Sequence, residues 1–348
     1  MSVTIYDIAR KAKVSHSTVS RVLSGQDYGK RKDSLERARR ILEIAAAEGY
    51  QPNTSARALV GKQTHNICFL MSDDIQSGWN NSYYAQLLNG VEDACQKHNY
   101  GLILNRFNGK DFRSFFSQRK LAGGEFDGIV IAGDVTTEMR EKMEQYNLPF
   151  ISINRSTNNL SISDSEFKFL KYGLECRNNF DLIAYAKSKG HHNIGFVLQD
   201  NHLESFDELK LQYAESGTVD CNLIPLHIKG ANDFASGAGI IDKWLKLAES
   251  DRPTLIFSSY QSSISIIKAM KKHGLSCPDD LSLVSNCDSE VCAVYEPGIT
   301  VISPDNHKRG YFAAMSLIIN FGKKVSLRNE TCETIIIERK SVKDLSAV

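Results

Sequence analysis

Along the first sixty residues the apolar positions recur at helical spacing. Ile5, Ile8, Ala9 and Ala12 form an i, i+3, i+4, i+7 stripe, with Thr4 ahead of it and Asp7 three residues on, a variant of the capping box. Ser15 is placed to cap a second helix whose Val19, Val22 and Leu23 point inward, with His16, Ser17, Ser20 and Arg21 on the opposite face. A polar loop, SGQDYGKRKD, precedes a longer helix from Ser34, with Leu35, Ala38, Leu42 and Ala45 as its buried stripe and Gly49 as its stop. Pro52-Asn53 starts a further helical segment ending at Gly61. It is too short to be stable alone, since isolated helices below about 12 residues are marginal.

From Asn66 the period changes. Strand-like runs at 67–71, 102–104, 128–131, 150–153, 194–198, 221–228, 254–257, 281–284 and 299–302 alternate with helical patterns at 85–98, 138–145, 180–189, 239–249 and 263–273. Such alternation predicts βαβ units and parallel sheets. At 348 residues the chain is long enough for two or three domains, and two sheets with separate cores accommodate the part after residue 65.

Charge sharpens this division. The chain carries a net charge of +1, but residues 1–64 hold 12 Lys+Arg against 6 Asp+Glu, and the remainder is acidic. A small basic head on an acidic body is the footprint of a nucleic-acid reader joined to another module. A helix burying Val and Leu while displaying Ser, His and Arg suits a major groove, where Arg takes a guanine edge in two hydrogen bonds. A helical hairpin with a solvated polar face is the plainer alternative. No apolar run approaches the roughly 20 residues of a membrane span, and the chain enters its first helix directly, so a cytoplasmic protein without membrane contact is expected. Eight cysteines without a CxxC pair fit reduced, buried thiols, Cys287 and Cys292 included. His191-His192 could suggest a metal, yet no metal or other cofactor is expected. No Gly-rich phosphate loop, HExxH or GxSxG is present, so an enzyme is not expected.

The residues Thr4-x-Tyr6-Asp7-Ile8-Ala9, Ala12-x-Val14-Ser15, Thr18-Val19-Ser20-Arg21-Val22-Leu23, Gly49-Tyr50-x-Pro52-Asn53 and Ala56-Arg57-x-Leu59 resemble the DNA-binding head of the LacI/GalR family of bacterial transcription regulators. The likeness extends over the body through Tyr83-Tyr84-Ala85, Phe126-Asp127-Gly128-Ile129, Gly190-His191, Asp288 and Pro297-x-x-Thr300-Val301. It implies an α/β protein: an N-terminal all-α helix-turn-helix head (1–50), a hinge helix and linker (51–64), and a two-lobed periplasmic-binding-protein-like body with parallel sheets (65–348). Lobe 1 is expected at about 65–163 and 293–327, and lobe 2 at about 164–292 and 328–345.

Several roles follow from the resemblance. His16, Ser17 and Arg21 read bases, while Thr4, Tyr6, Ser15 and Ser20 mainly hold the DNA backbone. Thr18 completes the contacting set on the head, and Asn53, Ala56 and Leu59 supply the hinge, whose leucine levers open a central step. The partners implied are a pseudopalindromic double-stranded DNA operator, a second copy of the chain in a homodimer, and a small-molecule effector, a sugar or derivative, in the interlobe cleft. Ligand sites in open α/β sheets lie beyond the carboxyl ends of strands, which selects Asn81, Tyr83, Tyr84, Asn154, Arg155, Tyr260 and Asp288.

The sequence also departs from the family. Lys13 stands for a glycine in the turn, and Ser24 for a common asparagine. In the pocket, Tyr260-Gln261, Cys287, Ser205 and Leu174-Glu175 stand where hydroxyl-binding residues are expected. These losses leave a second reading open: a DNA-binding dimer whose body docks a partner protein or is a fixed scaffold.

Overall fold

The computed structural model describes residues 3–23, 32–50, 63–73, 75, 78–108, 125–133, 137–145, 148–153, 175–176, 178–198, 203–215, 220–228, 233–320 and 331–346. Two compact units divide between Thr64 and His65.

The first unit holds α1 (Ile5–Ala12), α2 (His16–Leu23) and α3 (Lys32–Ala47). Thr4 and Asp7 make the reciprocal capping box: the Asp7 amide donates to Thr4 Oγ1 (3.4 Å) and the Thr4 amide to Asp7 Oδ2 (3.0 Å). α1 ends at Lys13, which takes the left-handed conformation at φ 55°, while the Val14 amide bonds back to the Ala9 carbonyl at 3.1 Å. Glycine adopts that geometry without the Cβ penalty that Lys13 carries. Ile8, Ala9, Ala12, Val19, Val22, Ala38, Ile41 and Ala45 form the core. Leu35 and Leu42, expected inside, are 52% and 46% exposed. The inward face of α3 is centred on Ala38, Ile41 and Ala45, with Ile41 filling the space between the helices, and both leucines fall on its flank.

The second unit contains two main sheets. The first has order β2-β1-β3-β4, all parallel, from β1 (Asn66–Ser72), β2 (Gly101–Phe107), β3 (Gly128–Ala132) and β4 (Phe150–Ser152). Its helices are α4 (Ser82–Lys97) and α5 (Thr137–Gln145). A short parallel ribbon joins β5 (Glu175–Cys176) to β11 (Thr331–Cys332). The second sheet has order β12-β10-β9-β8-β6-β7. Its strands are β6 (Asn193–Leu198), β7 (Asn222–His227), β8 (Leu255–Ser258), β9 (Ser282–Ser285), β10 (Thr300–Pro304) and β12 (Thr334–Ile337). All pair in parallel except β12, which runs antiparallel to β10. The associated helices are α6 (Asn178–Ser188), α7 (Leu203–Glu215), α8 (Gly237–Lys246), α9 (Tyr260–Lys272) and the short α10 (Glu290–Val294), whereas α11 (Asn306–Asn320) packs in the core of the first sheet. Each sheet has apolar clusters on both faces, as helix-covered parallel sheets require.

Three features were not expected from periodicity. The chain stays with the second sheet until Pro304, because β10 pairs with β9 and β12. Residues 293–304 therefore do not belong to lobe 1, and this crossover falls some dozen residues later than the expected 292. The other two crossovers, near 163 and 327, lie outside the described residues. α11 is the segment that returns to the first sheet. It packs on α4 so closely that a Cβ at Gly90 would lie 1.9 Å from the His307 carbonyl oxygen, and one at Gly310 1.9 Å from that of Leu87. Buried on most of its circumference, α11 shows no clean apolar stripe. α7 hides its Phe206, Leu209 and Tyr213 stripe behind an exposed Leu211.

Candidate nucleic-acid interface and ligand cleft

On the head, the Thr18 amide donates to Ser15 Oγ at 3.2 Å, so Ser15 caps α2. The same hydroxyl lies 2.9 Å from Ser17 Oγ and 2.8 Å from Thr18 Oγ1. The buried Val19 and Val22 set the rotation of α2. His16, Ser17 and Arg21 are exposed as a result, and Thr18 and Ser20 are half-buried beside them. The Tyr6 ring meets the His16 ring at 5.3 Å between centroids, inclined by 34°. Thr4 is committed to its own helix, its hydroxyl donating to Asp7 Oδ2 at 2.6 Å. Those bonds from Thr4, with lesser help from Arg10 and Lys11, hold the Asp7 carboxyl below its usual range. Asn53, Ala56 and Leu59 lie outside the described residues.

In the second unit, α4 begins just beyond the carboxyl end of β1, and α9 begins directly after β8. Asn81 caps α4, its Oδ1 accepting from the Tyr83 amide at 3.1 Å. Tyr83 and Tyr84 meet edge to face, 4.9 Å between centroids, and both pack against the core of the first sheet. Arg309 donates to the Tyr83 hydroxyl (2.9 Å), to Asn306 Oδ1 (3.2 Å) and to the Ile153 carbonyl (2.7 Å). Tyr260 is buried, its ring edge-on to Phe234, and its hydroxyl accepts from Ser82 Oγ at 3.3 Å. Asp288 Oδ1 is 3.0 Å from Arg339 Nη1, and the Asp288 carbonyl accepts from Gln86 Nε2 at 2.8 Å. The fold thus gathers Asn81, Tyr83, Tyr84, Tyr260 and Asp288 where α4 faces the second sheet. Asn154 and Arg155 lie outside the described residues.

Sequence reasoning missed Ser82, Gln86, Arg309 and Arg339. The i, i+3 spacing of Asn306 and Arg309 was a usable signal for one of them, but nothing local couples Arg339 to Asp288. His191 is fully engaged, Nδ1 at 2.8 Å from Thr254 Oγ1 and Nε2 at 3.0 Å from the Lys343 carbonyl. Burial raises the thiol pKa of Cys287 to about 12 and of Cys292 to about 11, so both stay protonated.

Residues 4–53 match the model of bacterial regulatory proteins of the lacI family, and residues 183–342 match the periplasmic binding protein-like domain. Catabolite control protein A of Priestia megaterium is 27% identical, over 97% of this chain and 96% of that protein. The head is thus similar to lacI-family regulators and the body to periplasmic binding proteins, the two-part organisation of that family. The chain's homologues are transcription regulators of that family, not enzymes. The ribose operon repressor of Haemophilus influenzae is 26% identical, with 96% of each chain covered. The lac repressor dimer bound to operator and the anti-inducer ONPF shares the fold of this chain, with a TM-score of 0.70 and 19% identity over 99% of this chain and 100% of that one. Among the described residues no helix is long and apolar enough to cross a membrane.

Proposed function

We propose that this chain is a LacI-family repressor that binds a pseudopalindromic operator as a homodimer, with α2 in the major groove. Its affinity for that operator is set by a small molecule in the cleft between α4 and the second sheet. In this reading His16, Ser17 and Arg21 read base edges; Tyr6, Ser15, Thr18 and Ser20 position the head, and Thr4 does so through its cap. Asn53, Ala56 and Leu59 form the hinge. The observation that carries the DNA reading is the exposed His16/Ser17/Arg21 face on a helix whose opposite side is locked by Val19 and Val22.

Two points support the effector. The lac repressor, of the same fold, was solved with a small anti-inducer, and the ribose repressor is named for a sugar operon. The cleft also retains usable chemistry. Because Arg309 donates to the Tyr83 oxygen, the phenol keeps its own proton for an acceptor on a ligand, and the paired tyrosines offer an aromatic face. Asn81, Tyr84, Asn154, Arg155, Tyr260 and Asp288 complete the candidate lining. A carbohydrate or derivative is the class that such a lining takes.

One observation favours the fixed-scaffold reading. The side chains of Asn81, Tyr83 and Tyr260 hydrogen-bond within the protein, and Asp288 forms an ion pair with Arg339. A thermal-shift screen against sugars, sugar phosphates and nucleobases separates the two. A true effector at 100 times its Kd stabilises the protein by about 2.7 kcal/mol and changes operator affinity in parallel. If nothing in the screen shifts the melting temperature, the scaffold reading stands instead.

A further inference from the structure

Tyr6 stands out in the head. It is 66% exposed, so it contributes little to a core that Ile8, Val19 and Ile41 already fill. Yet its ring lies against the imidazole of His16, the first residue of α2, at 5.3 Å and a shallow 34°. Both backbones beneath these rings are held. Tyr6 is the second residue of a helix fixed by the Thr4–Asp7 box, and His16 follows the Ser15 cap. The turn between them is locked by the left-handed Lys13 and the bond from the Val14 amide to Ala9.

We infer that Tyr6 is a positioning residue for base recognition: its ring braces the His16 imidazole in the orientation that enters the groove. This rests on the reading of α2 as the recognition helix. Ordering a side chain on binding costs affinity, and a side chain already ordered avoids that cost. Ser17, by contrast, is held through its hydroxyl by Ser15, so the two adjacent reading residues are preset by different neighbours, one by a ring and one by a cap. The resemblance alone would give Tyr6 only a phosphate contact through its hydroxyl. The two roles separate chemically, because a brace needs the ring and a phosphate contact needs the O–H.

The experiment uses the full-length chain and a library of DNA duplexes with a randomised core, sequenced after selection by the wild type and by Tyr6→Ala, Tyr6→Phe, His16→Ala and the Tyr6→Ala/His16→Ala double variant. Affinities are then measured on the wild-type consensus duplex, its single-base variants and an unrelated duplex. Tyr6→Ala is expected to lose the same base-pair preference in each half-site as His16→Ala, with discrimination there falling about tenfold. The double variant should lose no more than His16→Ala alone, and Tyr6→Phe should select as the wild type does. An unchanged preference in Tyr6→Ala overturns the brace. So does an equal loss of affinity by Tyr6→Ala and Tyr6→Phe on consensus and unrelated duplexes, which marks a hydroxyl on phosphate. A wild type that selects no sequence overturns the recognition-helix reading and the brace with it, an outcome separable from the other two.

Discussion

His16, Ser17 and Arg21 stand exposed on one side of α2, held from beneath by Val19 and Val22. At the candidate ligand site, Tyr83, Tyr260 and Asp288 are partly or fully buried and engaged by Arg309, Ser82 and Arg339. Both regions present polar side chains, but their partners differ in distance along the chain. The head is organised by neighbours three or four residues apart, such as Thr4 with Asp7 and Ser15 with Thr18. The candidate ligand site is organised by contacts such as Ser82 with Tyr260 and Tyr83 with Arg309, 178 and 226 residues apart. A face built locally survives changes in the body, whereas a site built from distant segments depends on how both sheets are held.

The sharpest way to break that contrast is at the contact between α4 and α11. Gly90→Leu drives a side chain into the His307 carbonyl, which the backbone must move to accommodate. It is expected to destabilise the body by about 3 kcal/mol or more and to leave the helices of the first unit folded, visible as a lowered urea midpoint for the body alone. Loss of both units in a single transition would show that the head is not locally organised. Arg21→Ala probes the other side. Because Arg21 is exposed, folding should not change, while discrimination at one base pair of each half-site falls by about 1–3 kcal/mol. An equal loss on random DNA would assign Arg21 to phosphate alone.

The smallest effect concerns pH. Burial lowers the His191 pKa below its ordinary 6.5, outweighing the opposing bond to the Lys343 carbonyl and the nearby Asp344, with His192 adding to the decrease. The folded state therefore binds fewer protons than the unfolded state in the window below 6.5. Stability is intact above the unfolded value and declines as the pH falls beneath it. Urea midpoints of the body measured between about pH 7.5 and 5.5 should drop, and His191→Gln should flatten that part of the profile. An unchanged profile in the variant would assign the dependence to other groups.

Much of the head and of the strand layout is legible in the order of residues alone. The capping box at Thr4, the cap at Ser15, the inward Val19 and Val22 and the exposed His16, Ser17 and Arg21 all follow from helical period, and nine of the strands coincide with apolar runs. The illegible parts share a cause. Leu35 and Leu42 satisfy the period of α3 but sit on the flank of a face chosen by the close approach of two other helices. α11 is buried on most sides, so its pattern lacks the polar face by which an amphipathic helix is recognised.

The sequence by itself determined the local devices: where helices start and stop, which face of α2 points outward, and that strands alternate with helices after residue 65. These depend on neighbours within a turn or a strand, and periodicity reports them. Only the tertiary structure decided that residues 293–304 remain with the second sheet, that Gly90 and Gly310 let α4 and α11 touch, and that Arg309 and Arg339 engage Tyr83 and Asp288. Those outcomes depend on strand order and on pairs of side chains that no repeat links, because the partners meet only after both sheets have formed.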